Sequence, residues 1–395
     1  MEKDSGASVR IYNLARGLSS QGNCVSVIMP GKENMCRNVD GVEVCFIRGF
    51  LPSRVLETLR KLIGVARPTA LYFYDFLFIL RLRRLIKEAD IVQFEGTAGG
   101  LLVFLIKRFI KKTVVIDCHD VFQALRLKHT GFLRRMLETS LEKLSYEYAD
   151  SILTVSKAEK DCLVSFKIKE NKIEVVPNGV DTTQFACYDS SKIREKYALR
   201  THGTVIFVGN MEYWPNREAV HVIASEIAPR VRKEIDDAKF LIVGRIPKEM
   251  SLHGLIFTGV VDSVAEFLAA SDVAIAPLFQ GSGTRLKILE YFSCCLPVVS
   301  TSVGAEGLDV ADGMNIMIED NIDEFSAKIV ELLNDHESSL KLGKRARELV
   351  VEKYDWRRIS SRLNEAYCNL LSRKNVRARC LPFLQTRSRE HGDIS

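Results

Sequence analysis

Ten short, mostly apolar runs, each separated from the next by helix-like sequence, limit this chain to few architectures. The first series is CVSVIM (24–29), VEVCFI (42–47), DIVQF (90–94), TVVID (113–117) and SILTV (151–155). The second is TVIFVG (204–209), KFLIVG (239–244), LIFTG (255–259), DVAIAP (272–277) and PVVST (297–301). Strands this apolar present no polar face to water, so they must be covered on both sides, and the intervening helices supply the cover. The pattern predicts an α/β protein with two doubly wound parallel sheets, and ligands outside the carboxyl ends of the strands. Between the series, KIEVVPNGVDTTQF (172–185) contains Pro177, Asn178 and Gly179, which break regular structure and mark a junction. A length of 395 residues is enough for two domains of ordinary size.

The segment GSGTRLKILEYFSCCLPVVSTSVGAEGL (281–308) carries the densest chemistry. Gly281, Ser282 and Gly283 let the backbone approach a ligand and turn its amides toward it. Thr284 reads as the cap of a helix reaching Ser293, whose free N–H groups would face an anion. Arg285 and Lys287 add positive charge in the first turn, where it opposes the helix dipole and costs a few tenths of a kcal/mol. Binding an anion would explain that cost. Glu290 lies at i+3 from Lys287, so a carboxylate able to accept two sugar hydroxyls stands beside the phosphate-binding cations. The plainer alternative is a surface Lys287–Glu290 pair worth roughly 0.3 kcal/mol. The apolar residues around it, Leu286, Ile288, Leu289, Tyr291 and Phe292, predict a mostly buried helix whose polar side chains face a cleft.

Charge and cysteine usage narrow the function classes. Net charge is +6, of which +4 falls in the tail: Arg373, Lys374, Arg377, Arg379, Arg387 and Arg389 against Glu390 and Asp393. The remaining body is close to neutral, which argues against a nucleic-acid partner. The ten cysteines contain no CxxC pair, so neither a zinc site nor a disulfide framework is expected, and a reducing cytoplasm fits. The longest apolar candidate, LYFYDFLFILRL (71–82), is interrupted by Asp75 and Arg81, and the polar start MEKDSG is unlike a signal peptide.

In this order the segments SGASVRIYNLARGLSSQGNCVSVI, VVIDCHD, VVPNGVDTTQF, FVGNMEYWPN, LIVGRIP, ASDVAIAPL and GTRLKILEYFSCCLPVVSTSVGAEGL resemble the family 4 glycosyltransferases, retaining enzymes of the GT-B fold. The resemblance spans about Asp4 to Leu371 and implies two Rossmann-like domains facing a cleft, closed by a C-terminal crossover helix. The implied boundaries are an acceptor-side domain over 1–175, a nucleotide-sugar domain over 176–355, a crossover helix over 356–372 and a basic tail over 373–395. It implies transfer of a sugar from a nucleotide diphosphate sugar, the co-substrate, to a glycan or lipid-linked acceptor in cell-surface polysaccharide or glycoconjugate synthesis, with no other cofactor and no metal. Glu290 matches the ribose-binding glutamate of the family's paired motif. Arg285 and Lys287 fall where the pyrophosphate would lie, and stabilising the departing diphosphate makes them catalytic candidates. His119 would follow the TVVID strand into the cleft and contact the transferred sugar or acceptor, with Asp120 beside it. Gly6 and Glu95 complete the acceptor side, with Glu95, at the end of the DIVQF strand, equally open to a helix-capping or solvated role. Gly283, Thr284, Asn210 and Glu306 complete the donor side, with Glu306 equally open to bonding its neighbouring amides. Tyr213 and Trp214 could stack on a base or sugar, although core packing is the commoner fate of such aromatics.

Three departures from the family pattern stand out. Ser282 occupies the position of the first glutamate of the paired motif, so donor identity does not carry over. Asn210 follows Gly209 where a basic pair often stands, with Asn216 and Arg217 downstream, which shifts phosphate binding toward Arg285 and Lys287. The apolar strand expected before the glycine loop is missing, which predicts a gap in the centre of the first sheet. Either the start lies further upstream or the N-terminal domain is altered. Two alternative functions stay open: a GT-B nucleotide-sugar epimerase, and a non-catalytic nucleotide-sugar-binding protein. The expected location is the cytoplasm, and a disordered tail or one touching anionic lipid at the inner membrane face fits the C-terminal charge.

Overall fold

The fold comes from a computed structural model that describes residues 6–31, 33–48, 76–97, 99–119, 132–185, 189–199, 202–247, 250–281 and 285–373. Asp120, Ser282, Gly283, Thr284, the first half of the apolar segment 71–82 and the tail beyond Arg373 lie outside the described residues.

Each of the ten apolar runs forms a strand. In the N-terminal half they are β1 (Ser26–Gly31), β3 (Val42–Arg48), β4 (Ile91–Glu95), β5 (Thr113–Cys118) and β6 (Ser151–Thr154), joined by the unpredicted β2 (Met35–Val39) and β7 (Ile173–Val175). In the C-terminal half they are β8 (Thr204–Val208), β9 (Lys239–Val243), β10 (Ile256–Gly259), β11 (Val273–Ala276) and β12 (Val298–Ser300), with a short β13 (Met317–Ile318). The helices that matter below, in chain order, are α1 (Gly6–Ser20), α2 (Phe76–Glu88), α3 (Gly100–Leu105), α4 (Phe132–Tyr148), α5 (Trp214–Val222), α6 (Leu286–Ser293) and α7 (Trp356–Ser372).

The second sheet runs β10-β9-β8-β11-β12-β13 and is parallel throughout. Its order reverses between β8 and β11, which opens a ligand crevice at the carboxyl ends of those two strands. Alternate residues pack into separate cores on the two faces. Ile206, Leu241, Ala274 and Val298 face Ile288, Leu289 and Phe292 of α6. Phe207, Phe240, Ile242 and Ile275 face Ala219, Val220 and Ile223.

The N-terminal half forms two sheets, β1-β3-β2 and β4-β5-β6-β7. Among the described residues β1 pairs only with β3 and β4 only with β5, which is the gap expected from the sequence. Burial records it: β5 and β6 are buried at every position, whereas β1 is buried at none.

The hairpin β2–β3 was missed because MCRNV has no apolar face and is exposed at four of its five positions. Its two-residue turn, Asp40–Gly41, has φ of 51° and 83°, the left-handed pair that a tight hairpin requires. The register places Cys36 opposite Cys45, and the two form a disulfide. This corrects the expectation from cysteine spacing, because cross-strand register brought together residues that no short motif links.

The crossover helix returns as expected. Trp356, Ile359 and Leu363 of α7 pack with Leu14 of α1 and with Val115, Leu153 and Val176. Asp355 caps α7 by accepting from the Arg357 amide at 2.8 Å. The two chain crossings between the halves are tied together where the Val180 amide donates to Tyr354 O at 2.9 Å and the Trp356 amide donates to Val180 O at 3.2 Å.

Candidate functional site

Helix α6 starts at Leu286 with Arg285 as its N-cap, one residue later than the Thr284 cap expected from sequence, and no side chain caps it. Ile288, Leu289, Tyr291 and Phe292 are fully buried, and the Val208 amide donates to Tyr291 Oη at 2.8 Å. That bond ties the second half of α6 to the carboxyl end of β8. Lys287 does not pair with Glu290. Its Nζ donates to Asn216 Oδ1 at 2.8 Å and lies 4.0 Å from the centre of the Phe207 ring. Asn216 in turn donates from Nδ2 to Asn210 O at 2.9 Å.

Burial, with help from the neighbouring Arg285 charge, pulls Lys287 down to about 7 against the pull of Glu290. Burial pushes Glu290 up to about 7 against the pull of Lys287. Arg285 is 8% exposed, and its guanidinium lies against Gly281, where a Cβ would come within 2.9 Å of Nη2 and 3.3 Å of Tyr213 Oη. Gly281 has φ of 119°, so backbone conformation and space both require glycine there. Tyr213 and Trp214 are 49% and 58% exposed, so of the two fates open to them core packing does not hold. They stand at the start of α5, beside Asn216. The Asn210 side chain accepts from the Glu212 amide at 2.9 Å and so shapes its own loop. Glu306 is exposed in the loop after β12 and is not drawn into the Arg285–Lys287–Asn216 group.

A second cluster lies at the carboxyl ends of β4 and β5, where Glu95 stands opposite Asp117 in register. His119 Nε2 is 3.0 Å from Glu95 Oε2, and Gln93 Nε2 donates to Glu95 Oε1 at 2.7 Å. Tyr367 of α7 donates to Gln93 Oε1, so the crossover helix touches this cluster. Burial lowers the His119 pKa, but the hydrogen bond to Glu95 and the charges of Asp117 and Glu95 outweigh it, and the net shift is upward. Beneath, Arg10 grips Asp117 in two bonds, Nε to Oδ2 at 2.8 Å and Nη2 to Oδ1 at 2.9 Å. Its Nη1 reaches the junction, Pro177 O at 3.0 Å and Asn178 Oδ1 at 3.2 Å. Ligand atoms of Glu95, Asp117 and His119 lie within 4.8 Å of one another, but a cation there would have to compete with Arg10 for both Asp117 oxygens.

Helix α1 touches the elements that carry both clusters. A Cβ on Gly6 would lie 3.4 Å from Leu286 Cδ1, at the start of α6, while Arg10, one turn later, braces the strand end that carries His119.

Two family models match the chain in sequence, Glycosyltransferase Family 4 over residues 5–184 and Glycosyl transferases group 1 over residues 202–335. The chain belongs to the group 1, family 4 glycosyltransferases. This glycosyltransferase is 23% identical over 322 residues to the Escherichia coli UDP-Gal:alpha-D-GlcNAc-diphosphoundecaprenol alpha-1,3-galactosyltransferase, covering 76% of this chain and 81% of that one. It is 26% identical over 328 residues to the GDP-mannose-dependent alpha-(1-6)-phosphatidylinositol monomannoside mannosyltransferase of Mycolicibacterium smegmatis, covering 76% and 82%. HepE of Anabaena, solved in complex with UDP and glucose, superposes with a TM-score of 0.68 at 14% identity, covering 93% of this chain and 96% of that one. The fold of the glycosyltransferase is GT-B.

Sequence reasoning missed Arg10 as a site residue of this glycosyltransferase, and it noted Asn216 and Asp117 without a role. Arg10 looks like any basic residue on an amphipathic helix, and its partner is 107 positions away.

Proposed function

We propose that this glycosyltransferase moves a sugar from a nucleotide diphosphate sugar to a glycan or lipid-linked acceptor with retention of configuration, and needs no metal. The observation that carries the reading is the group Arg285, Lys287 and Glu290 at the start of α6, beside the reversal point of a parallel sheet. A diphosphate would take the charge of Arg285 and Lys287 and the free amides of α6, and a ribose would donate its hydroxyls to Glu290. As the sugar–phosphate bond breaks, negative charge collects on the leaving oxygen, and the same cations gain interaction energy there that they lack in the ground state. Same-face attack by the acceptor hydroxyl, with its proton passing to the leaving phosphate, then gives retention without a protein nucleophile. His119, held by Glu95, would orient the transferred sugar or acceptor hydroxyl.

The relatives named for UDP-Gal, GDP-mannose and lipid-borne acceptors support both the donor class and a lipid-linked acceptor. The test is transfer from a panel of UDP- and GDP-sugars to lipid-diphosphate and glycan acceptors, with the anomeric configuration of the product read by NMR. An α-glycoside from an α-linked donor is expected. Free epimerised nucleotide sugar, or donor binding with no diphosphate release for any acceptor, would replace this reading with the epimerase or the non-catalytic binder.

A further inference from the structure

Helix α7 lies late in the chain, yet one of its side chains reaches the strand ends beside His119. Gln93 and Glu95 are two residues apart on β4, so their side chains leave the same face of the sheet. Gln93 Nε2 donates to Glu95 Oε1 at 2.7 Å, and the other carboxylate oxygen, Oε2, lies 3.0 Å from His119 Nε2. Tyr367 Oη donates to Gln93 Oε1 across 274 positions of sequence. Tyr367, Gln93, Glu95 and His119 therefore form one line of hydrogen bonds from the crossover helix to the candidate acceptor side.

Chemistry fixes the direction of each bond. A carboxylate only accepts, so the Gln93 amide turns its nitrogen to Glu95 and its oxygen to Tyr367. That oxygen also only accepts, so the phenol donates. Burial, with the charges of Asp117 and Glu95, pushes Tyr367 well above its ordinary value of 10, and the phenol keeps its proton at any working pH. At the other end, Glu95 Oε2 accepts from His119, which places a proton on Nε2. The other charged groups acting on His119 are Asp117 of β5 and Arg10 of α1. Both Asp117 oxygens are bonded to Arg10, so the partner of the ring is Glu95.

We propose that Tyr367 is a positioning residue for His119: through Gln93 and Glu95 it holds the proton of the neutral imidazole on Nε2 and leaves Nδ1 as the atom that meets a ligand hydroxyl. A charged His119 donates from both nitrogens, and on neutralisation only Nδ1 changes, from donor to acceptor. Without the phenol the Gln93 amide is free to turn, Glu95 loses a fixed donor, and the ring it holds loses its orientation. Helix α7 starts where the Trp356 amide donates to Val180 O, so the line ties this histidine to an element anchored at the junction. That His119 serves sugar transfer rests on the proposed function, whereas the line of bonds does not.

The test is NMR of the full chain carrying isotope-labelled histidine, at a pH above the His119 titration, where the ring nitrogen shifts distinguish the two neutral tautomers. The chain has seven histidines, and the His119 signals are those lost in His119→Gln. Wild type is compared with Tyr367→Phe, Gln93→Leu and the double variant. Tyr367→Phe removes only the hydroxyl and keeps the ring that packs against the cluster of Leu14, Val115 and Leu363. Wild type is expected to show the Nε2–H tautomer. Each single variant is expected to shift the His119 nitrogens toward the average of the two tautomers, and the double variant to shift them no further than Gln93→Leu does. An Nδ1–H tautomer in wild type would overturn the proposal whatever the variants do. So would unchanged His119 signals in Tyr367→Phe, or single-variant shifts that add in the double variant. Transfer assays on the same proteins separate this inference from the proposed function: a moved tautomer with an unchanged transfer rate removes His119 from the reaction and leaves the role of Tyr367 standing.

Discussion

Arg10 and Asp117, 107 positions apart, form a two-bond ion pair in which neither side chain has any exposed surface. The guanidinium also binds the junction at Pro177 and Asn178, so one buried cation joins the first helix, the strand end beneath His119 and the crossing between the halves. Replacing Arg10 with Met leaves Asp117 charged and unpaired, at an expected cost of about 3–5 kcal/mol. The double variant Arg10→Met/Asp117→Asn should lose less than Arg10→Met alone. Urea denaturation of the single and double variants measures the difference.

His119 and Glu95 make a separate pH prediction. The folded pKa of His119 is raised above its ordinary value of 6.5, so its contribution to stability is whole below that value and is lost as pH rises through the folded pKa. Glu95→Gln removes the charge and should move the His119 titration, followed by NMR, toward lower pH. The transfer rate should fall by roughly tenfold or more if His119 must be oriented for the reaction.

Lys287 and Glu290, each titrating at about 7, predict a narrow pH optimum for donor use. Binding needs Glu290 ionised, which fails as pH falls, and Lys287 protonated, which fails as pH rises. The profile of kcat/KM for the donor should therefore be bell-shaped with its maximum near neutrality. Glu290→Gln should flatten the acid limb and, because Glu290 pulls the Lys287 pKa upward, move the alkaline limb to lower pH.

The same lysine should be a liability in the free protein. Its folded pKa is depressed by burial, so the unfolded state binds the proton more readily, and the cost grows as pH falls from 10.5 toward 7. Lys287→Met packs against Phe207 without that charge and should raise the unliganded melting temperature by about 2 °C or more while weakening donor binding. Calorimetry with and without nucleotide separates the two effects.

The fold was legible because burial on both faces imposes continuous apolar strands, as TVIFVG and KFLIVG did for β8 and β9. Strand β2 was not, because an exposed edge strand such as MCRNV is held by its neighbour and its turn rather than by its own hydrophobicity. At the site, the residues carried by local spacing, Lys287 and Glu290, could be found from the helix they share. Their surroundings could not. Asn216 reaches Lys287 from 71 positions away, and Arg10 reaches Asp117 across two sheets' worth of chain, contacts that only the folded topology creates. For Tyr213 and Trp214 the sequence leaves stacking and core packing both open, with core the commoner fate, and they sit at the exposed start of α5.

The central claim is that the start of α6 binds a nucleotide diphosphate through Arg285, Lys287 and Glu290. Calorimetric titration of UDP and GDP into wild type, Arg285→Ala and Glu290→Ala tests it most directly. At least one nucleotide is expected to bind wild type, with affinity falling about tenfold or more in each variant, since each loses a charge-assisted contact worth about 1.5–3 kcal/mol. Unchanged affinity in both variants would contradict the assignment.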